Sequence, residues 1–177
     1  MSVGPAGVCG VDEWVERVDG QDRVTGVVSR RQAVREGWLH RVAVTVCRDQ
    51  RGRILVHRRS EQLARFPGLF EAVVGGAVRV GEFYEQGAAE ELGVRALPRL
   101  LFTFINRSGL SPHWLGVHEA VIREPVEAVV PDPEEVAWHG RLTEPELRSA
   151  LVNWRFTPDS REVFGRYLTF RSRRECR

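Results

Sequence analysis

The sequence predicts an α/β (α+β) sandwich on a mixed central sheet. Three observations carry that expectation. The elements run in the order hairpin, short helix, strands, one central helix, more strands and two closing helices, without the strict alternation that builds a doubly wound sheet. The chain has 177 residues, 42% of them apolar and 28% charged, which suits one domain with a proper core. Neither an internal repeat nor an interdomain linker interrupts it.

Each element has a local cause. Residues 1–11 are Gly-, Ala- and Val-rich without a period and read as a flexible N-terminal tail. EWVERVD (13–19) and RVTGVVS (23–29) are β-type runs joined by the turn-forming GQD, so a hairpin is expected. SRRQAVREG (29–37) reads as a short helix capped by Ser29 and stopped by Gly37. VAVTVCRD (42–49) and RILVHRRS (53–60) are strands around the turn QRG. Residues 61–78 read as a loop, broken at Pro67 and Gly68, and then an apolar strand. A helix is expected over 82–92. LLFTFIN (101–107) and HWLGVHEAVI (113–122) form a further strand pair, and 126–139 a strand or loop edge broken at Pro131 and Pro133. Thr143 and Glu146 make a capping box for the next helix. Thr157 as cap, with Pro158 at the first helical position, starts the last one. Its end, RSRRECR (171–177), is a basic tail expected to fray. The single domain spans 12–170.

Composition removes several function classes. No apolar run is long enough to span a membrane, and the N-terminus lacks the basic and apolar regions of a signal peptide; the expected location is cytoplasmic. Cys9, Cys47 and Cys176 are odd in number and far apart, with no CxxC pair, so neither a zinc knuckle nor a disulfide framework is supported. Cys47 lies in an apolar run and reads as a small core residue. The net charge of +2 is too small to indicate nucleic acid. All 26 basic residues are arginine, so Schiff-base chemistry and a Walker-type loop are excluded.

The chemistry concentrates in GGAVRVGEFYEQGAAEELGV (75–94). Gly75 and Gly76 permit close backbone approach, and Gly81 permits a turn into a helix. Glu82, Glu85, Glu90 and Glu91 place four carboxylates within ten residues, and Gly93 is a natural helix stop. Hard divalent cations take oxygen ligands and usually arrive with substrate phosphates. The competing reading is a solvated helix face with ordinary glutamates.

The order of these residues resembles the signature of the Nudix family. Gly76, five residues and Glu82 match its opening; Glu90, Glu91, Leu92, Gly93 and Val94 match its close. Between them the signature has four more residues, Arg-Glu-apolar-any, that this chain lacks. Residues 12–47, with Asp12-Glu13, Ser29-Arg30 and Leu39-His40-Arg41, then 55–60, 66–78 and 134–138, resemble the branch that includes isopentenyl-diphosphate isomerase and its hydrolase-like relatives. The resemblance covers roughly 12–155.

It implies an α/β/α sandwich in which Glu82, Glu90 and Glu91 hold Mg²⁺ or Mn²⁺, and Glu90, Glu91 and Glu135 serve catalysis. Gly75, Gly76, Arg58 and His40 are the implied substrate contacts. Two registers are open. In the preferred one, Glu90 and Glu91 keep the closing pair and Gln86-Gly87 replaces Arg-Glu. In the other, Glu90-Glu91 takes the Arg-Glu place and Val94-Arg95 the closing one. Removing four helical residues turns a face by only about 40° but shortens a helix by about 6 Å. One ligand and an arginine clamp are lost, so the metal is expected to bind weakly. Glu85, Glu134 or Glu135 could supply a replacement; Glu134 and Glu135 also read as a solvated acidic turn.

A cysteine-dependent isomerase is not expected, because the matching stretch, 71–76, has neither cysteine nor histidine. His57, Arg58 and Arg59 are candidate diphosphate contacts, and Trp114, Trp138 and Phe104 are either core aromatics or one of them a base-stacking surface. The leading expectation is a Nudix-type hydrolase of a nucleoside diphosphate derivative or other diphosphate. The alternatives are a weakened or inactive binding domain and a diverged biosynthetic enzyme. The expected partner is the small-molecule diphosphate, not nucleic acid or membrane, with a homodimer left open.

Overall fold

The computed structural model describes residues 13–86, 97–123 and 132–175. β1 (Trp14–Val18) and β2 (Val24–Ser29) form an antiparallel hairpin of their own. α1 (Arg30–Glu36) follows, with Ser29 accepting from the Gln32 amide and Gly37 closing it at φ 66°. Both termini fall where the sequence puts them.

The main sheet holds seven strands: β3 (Arg41–Asp49), β4 (Ile54–Arg59), β5 (Phe70–Glu71), β6 (Val74–Ala77), β7 (Arg99–Asn106), β8 (His113–Ile122) and β9 (Val136–Leu142). It is mixed. β3 and β8 run parallel, paired from Arg41↔Trp114 to Asp49↔Ile122, while the other pairings are antiparallel. β3 and β4 touch only at Arg48↔Ile54 and then fork. β6 fills the fork along β3, and β5 fills it along β4. Gly75 makes the first of these pairings possible: a Cβ there would lie 2.0 Å from the Ala43 carbonyl oxygen. Ala72 and Val73 plug the apex and are buried.

Alternation along the strands sorts their side chains onto two faces. Val44, Val46, Ile54, Val56, Leu115 and Val117 pack against α2 (Glu144–Asn153) and α3 (Pro158–Glu175) through Leu147, Val163, Phe164 and Tyr167, with Phe156 from the link between the helices in the same core. The other face carries smaller clusters, Ala43, Val78 and Tyr84 in one and Cys47, Leu55, Ala120 and Ile122 in another. Burial pushes the Cys47 thiol up to about 12, as suits an inert core residue.

Some boundaries differ from expectation. The last strand is described over Val136–Leu142 and runs through Gly140, over which the Trp138 ring lies; the first part of the edge expected over 126–139, up to residue 131, lies outside the described residues. The apolar strand expected before 78 is two short strands, split by the fork. The final helix continues to Glu175. Helix begins at 84 in the glycine-opened segment; residues 87–96 lie outside the described part, as do the tail at 1–11 and the stretch 124–131. Among the described residues no helix is long and apolar enough to cross a membrane.

Candidate functional site

The N-terminal hairpin holds the glycine-bearing loop in place. Val15 bridges Arg79, and the Val78 amide donates to the Arg41 carbonyl at 3.0 Å. Gly81 turns at φ 81°, and its N–H donates to Glu16 Oε1 at 3.2 Å. Glu82 closes the same turn, its N–H donating to the Arg79 carbonyl at 3.1 Å and its Oε2 accepting from the Arg79 N–H at 3.2 Å. One turn later Gln86 repeats the arrangement on Phe83, accepting from its N–H at 2.8 Å, which is how a capping side chain opens a helix.

Arg41 ties hairpin to loop. It donates to Glu16 Oε2 and to Asp22 Oδ1, each at 2.8 Å, and to the Asp22 carbonyl at 2.7 Å. The Tyr84 hydroxyl donates to Asp22 Oδ2 at 3.0 Å. Burial, and then the Asp22 charge, push that phenol well above its usual range. The Tyr84 ring lies against Gly116, where a Cβ would sit 2.4 Å from it. Glu82 is half-buried and Glu85 exposed.

A second cluster lies beside the fork. His57 Nε2 stands 3.0 Å and Arg59 Nη1 3.2 Å from the same oxygen, Glu71 Oε2. Burial alone would raise the Glu71 carboxyl; the His57 hydrogen bond and charge, with Arg59, outweigh it and hold the group below the usual carboxylate range. Glu135 sits exposed in the turn before β9, and its carbonyl accepts from the Ser60 N–H at 2.8 Å, which places this turn at the same end of β4.

Arg58 alternates to the opposite face. It pairs with Glu61, donates to the Gly68 carbonyl at 3.0 Å, and with Phe70 and Arg155 lines a surface cavity of about 320 Å³. His40 is buried at 2% exposure, its Nδ1 3.3 Å from the Trp38 carbonyl, and burial pushes it down to about 4. Gly75 and Gly76 pair with Val44 and Ala43 at the fork. The structure thus brings Gly75, Gly76, Glu82 and Glu85 to one side, Glu135 to the neighbouring sheet end, and separates Arg58 and His40 from them. Glu90 and Glu91 lie outside the described residues. Among the described residues no three His, Cys, Asp or Glu side chains gather as a metal cage.

Of the three candidate aromatics, Trp114 packs beside Tyr84 and donates to the Asp19 carbonyl at 2.9 Å, and Phe104 carries the Arg166 guanidinium at 4.1 Å. Trp138 is the most open, 42% exposed, edge-on to Phe70 and Trp154. Sequence reasoning missed the clamp residues Glu16, Asp22 and Arg41, and the buried His118 and Thr45. A histidine at an inward position of an apolar strand was the available signal for His118.

No protein-family model matches the chain. An uncharacterized Nudix hydrolase of Streptomyces coelicolor is 40% identical over 167 residues, spanning 90% of this chain and 91% of its own. The crystal structure of DR0079 from Deinococcus radiodurans superposes with a TM-score of 0.72 at 26% identity, covering 87% of this chain and 98% of that one. The NUDIX domain of Shewanella oneidensis NrtR, solved in complex with ADP ribose, gives a TM-score of 0.55 at 14% identity, covering 73% and 86%, and is a likeness of fold.

Proposed function

The chain belongs to the Nudix hydrolase family, and on that premise we propose that it is a divalent-metal-dependent hydrolase of a nucleoside diphosphate derivative or a related small diphosphate. The observation that carries this reading is the strapped loop. Glu16 on the Gly81 amide, Glu82 on the Arg79 amide and Asp22 on the Tyr84 hydroxyl fix the start of the acidic segment against β3 and β8. Glu82, held this way, loses little freedom on gathering a ligand.

The donor chemistry fits Mg²⁺ or Mn²⁺. Glu82, Glu85, Glu90 and Glu91 offer only oxygen, which these hard cations prefer, and Arg41, which ties the hairpin to the loop, is already paired with Glu16 and Asp22. Glu82, Glu90 and Glu91 would hold the ion. When bound, it would supply Lewis-acid polarisation of the diphosphate and favour ionisation of water. Glu135, exposed at the neighbouring sheet end, is the residue assigned to take the water's proton. His57 and Arg59 already share Glu71 and so are held rigidly beside the fork, where they offer donors to phosphate oxygens. The shortened signature and the isomerase-like branch lead to the expectation of weak metal binding without isomerase chemistry. A nucleotide-derived substrate is supported by the ADP ribose held by the Shewanella domain.

The test is phosphate or nucleotide release from a panel of diphosphates, nucleoside diphosphates and nucleoside diphosphate sugars, at millimolar Mg²⁺ or Mn²⁺. Turnover that disappears in the Glu90→Gln/Glu91→Gln double variant, with unchanged circular dichroism, supports the reading. Wild-type protein inert across the whole panel overturns it.

A further inference from the structure

The helix face of the sheet carries a cavity that the hydrolase reading does not use. It holds about 320 Å³, and Arg58, Glu61, Gly68, Leu69, Phe70 and Arg155 line it. That volume lies at the lower end of the range that takes a small organic ligand. Alternation sends Arg58 to this face and Arg59 to the other, and it divides Phe70 from Glu71 in the same way. The cavity is therefore separate from the cluster in which Glu71 gathers His57 and Arg59.

Its surroundings are of two kinds. The first is aromatic. Arg58 on β4 has Phe70 as its register partner on β5 and Trp138 as its partner on β9. The two rings meet edge-on at 6.0 Å, and Trp154 lies 4.6 Å from Phe70. Trp138 nonetheless stays 42% exposed. Open aromatic surface beside a cavity is surface that a planar ring can cover.

The second is cationic. Arg58 Nε donates to the Gly68 carbonyl at 3.0 Å, and its guanidinium stands 6.0 Å from the Phe70 ring centre, so this donor fork is set before any ligand arrives. Its ionic partner is the exposed Glu61, three residues on, and exposed pairs of that kind hold weakly. An anion can take that carboxylate's place. Arg155 is exposed, and among the described residues its guanidinium has no ion-pair partner. Its backbone is fixed, because its carbonyl accepts from the Phe70 N–H at 2.8 Å. Two guanidinium groups against one carboxylate leave the cavity net positive.

We propose that this cavity is a second ligand site, for a small planar aromatic ring that carries an anionic group. The anionic group pairs with Arg58 and Arg155 and displaces Glu61; the ring lies along Phe70 and Trp138. Nucleoside monophosphates and aromatic carboxylates share this chemistry. The site needs neither a metal ion nor the catalytic glutamates, so it stands apart from the hydrolase reading.

Nuclear magnetic resonance of the ¹⁵N-labelled, metal-free protein tests it without reference to turnover. Titration with adenosine monophosphate or with indole-3-acetate should shift the Trp138 and Trp154 indole N–H signals saturably, and the tighter of the two probes identifies the source. Arg155→Ala changes an exposed side chain and should fold as the wild type does; it should weaken binding by about tenfold or more. Glu61→Gln removes the competing carboxylate and should tighten binding. Adenosine and inorganic phosphate, each alone, should bind more weakly than the monophosphate. Saturable shifts that Arg155→Ala leaves unchanged overturn the assignment to this cavity. Adenosine or phosphate binding as tightly as the monophosphate overturns the ligand class. No shift at the two indoles with either probe overturns the site, whatever the hydrolase assays show.

Discussion

The two faces of the main sheet are built to different standards. The face under α2 and α3 interlocks large side chains: Phe164, Tyr167, Leu147 and Ile54 are all at or below 2% exposure. Its polar groups are matched. Ser160 Oγ accepts from the Ala72 N–H at 2.7 Å, and the Tyr167 hydroxyl joins Glu119 to Arg48. The opposite face, where Tyr84 rests on Gly116, holds only smaller clusters, Ala43, Val78 and Tyr84 in one and Cys47, Leu55, Ala120 and Ile122 in the other, and among the described residues its Thr45 Oγ1 and His118 Nε2 have no hydrogen-bond partner. Buried apolar area stabilises a fold, whereas unmatched buried polar atoms subtract from it. The comparison teaches that stability is concentrated on one face and chemistry on the other.

Phe164→Ala should give the largest loss, about 4 kcal/mol by urea denaturation, because a fully buried ring leaves a cavity among packed neighbours. Mn²⁺ affinity of the folded variant should not change; a change would break the division between faces. Gly75→Ala comes next, at about 3 kcal/mol, since its Cβ meets the Ala43 carbonyl of the adjoining strand and backbone must move.

Acid sensitivity sharpens the contrast. By alternation with Val42 and Val44, His40 belongs to the helix face, where burial lowers it from 6.5 to about 4. Between those values the unfolded chain binds a proton that the folded one does not. Stability is therefore fully present above pH 6.5 and falls as pH drops towards 4, by up to roughly 3 kcal/mol from this group. His40→Asn should flatten that part of the curve, measured as urea midpoints from pH 7 to 4.5.

Tyr84→Phe should have the smallest effect, about 1–2 kcal/mol. It removes one hydrogen bond to Asp22, which keeps Arg41. Its signature is local: amide hydrogen exchange should speed up at 79–86 and not in α3. Uniform acceleration would show that the clamp and the helix face open together.

Much of this fold was legible because its signals are local. Ser29 and Gly37 bound α1, Thr143 and Glu146 cap α2, and GQD turns the hairpin, each by chemistry within a few residues. The fork was not legible. Phe70–Glu71 is too short for a period, and its pairing is decided by where β3 and β4 part. The continuation of β9 through Gly140 depends on the whole length of β4 as a partner. In the site, the loop glycines and the glutamates announce themselves in one window. The clamp does not, because Glu16, Asp22 and Arg41 meet Gly81 and Tyr84 across up to 65 residues of chain. Alternation separates Arg58 from Arg59, and only the pairing of β4 with β5 shows that Glu71 gathers His57 and Arg59.

The most direct measurement is calorimetric titration of the purified chain with Mn²⁺ and Mg²⁺, wild type beside Glu90→Gln/Glu91→Gln. Binding at submillimolar to millimolar strength, lost in the double variant while its melting profile stays cooperative, is the predicted result. No binding by the wild type, with a nucleoside diphosphate present, would contradict the account.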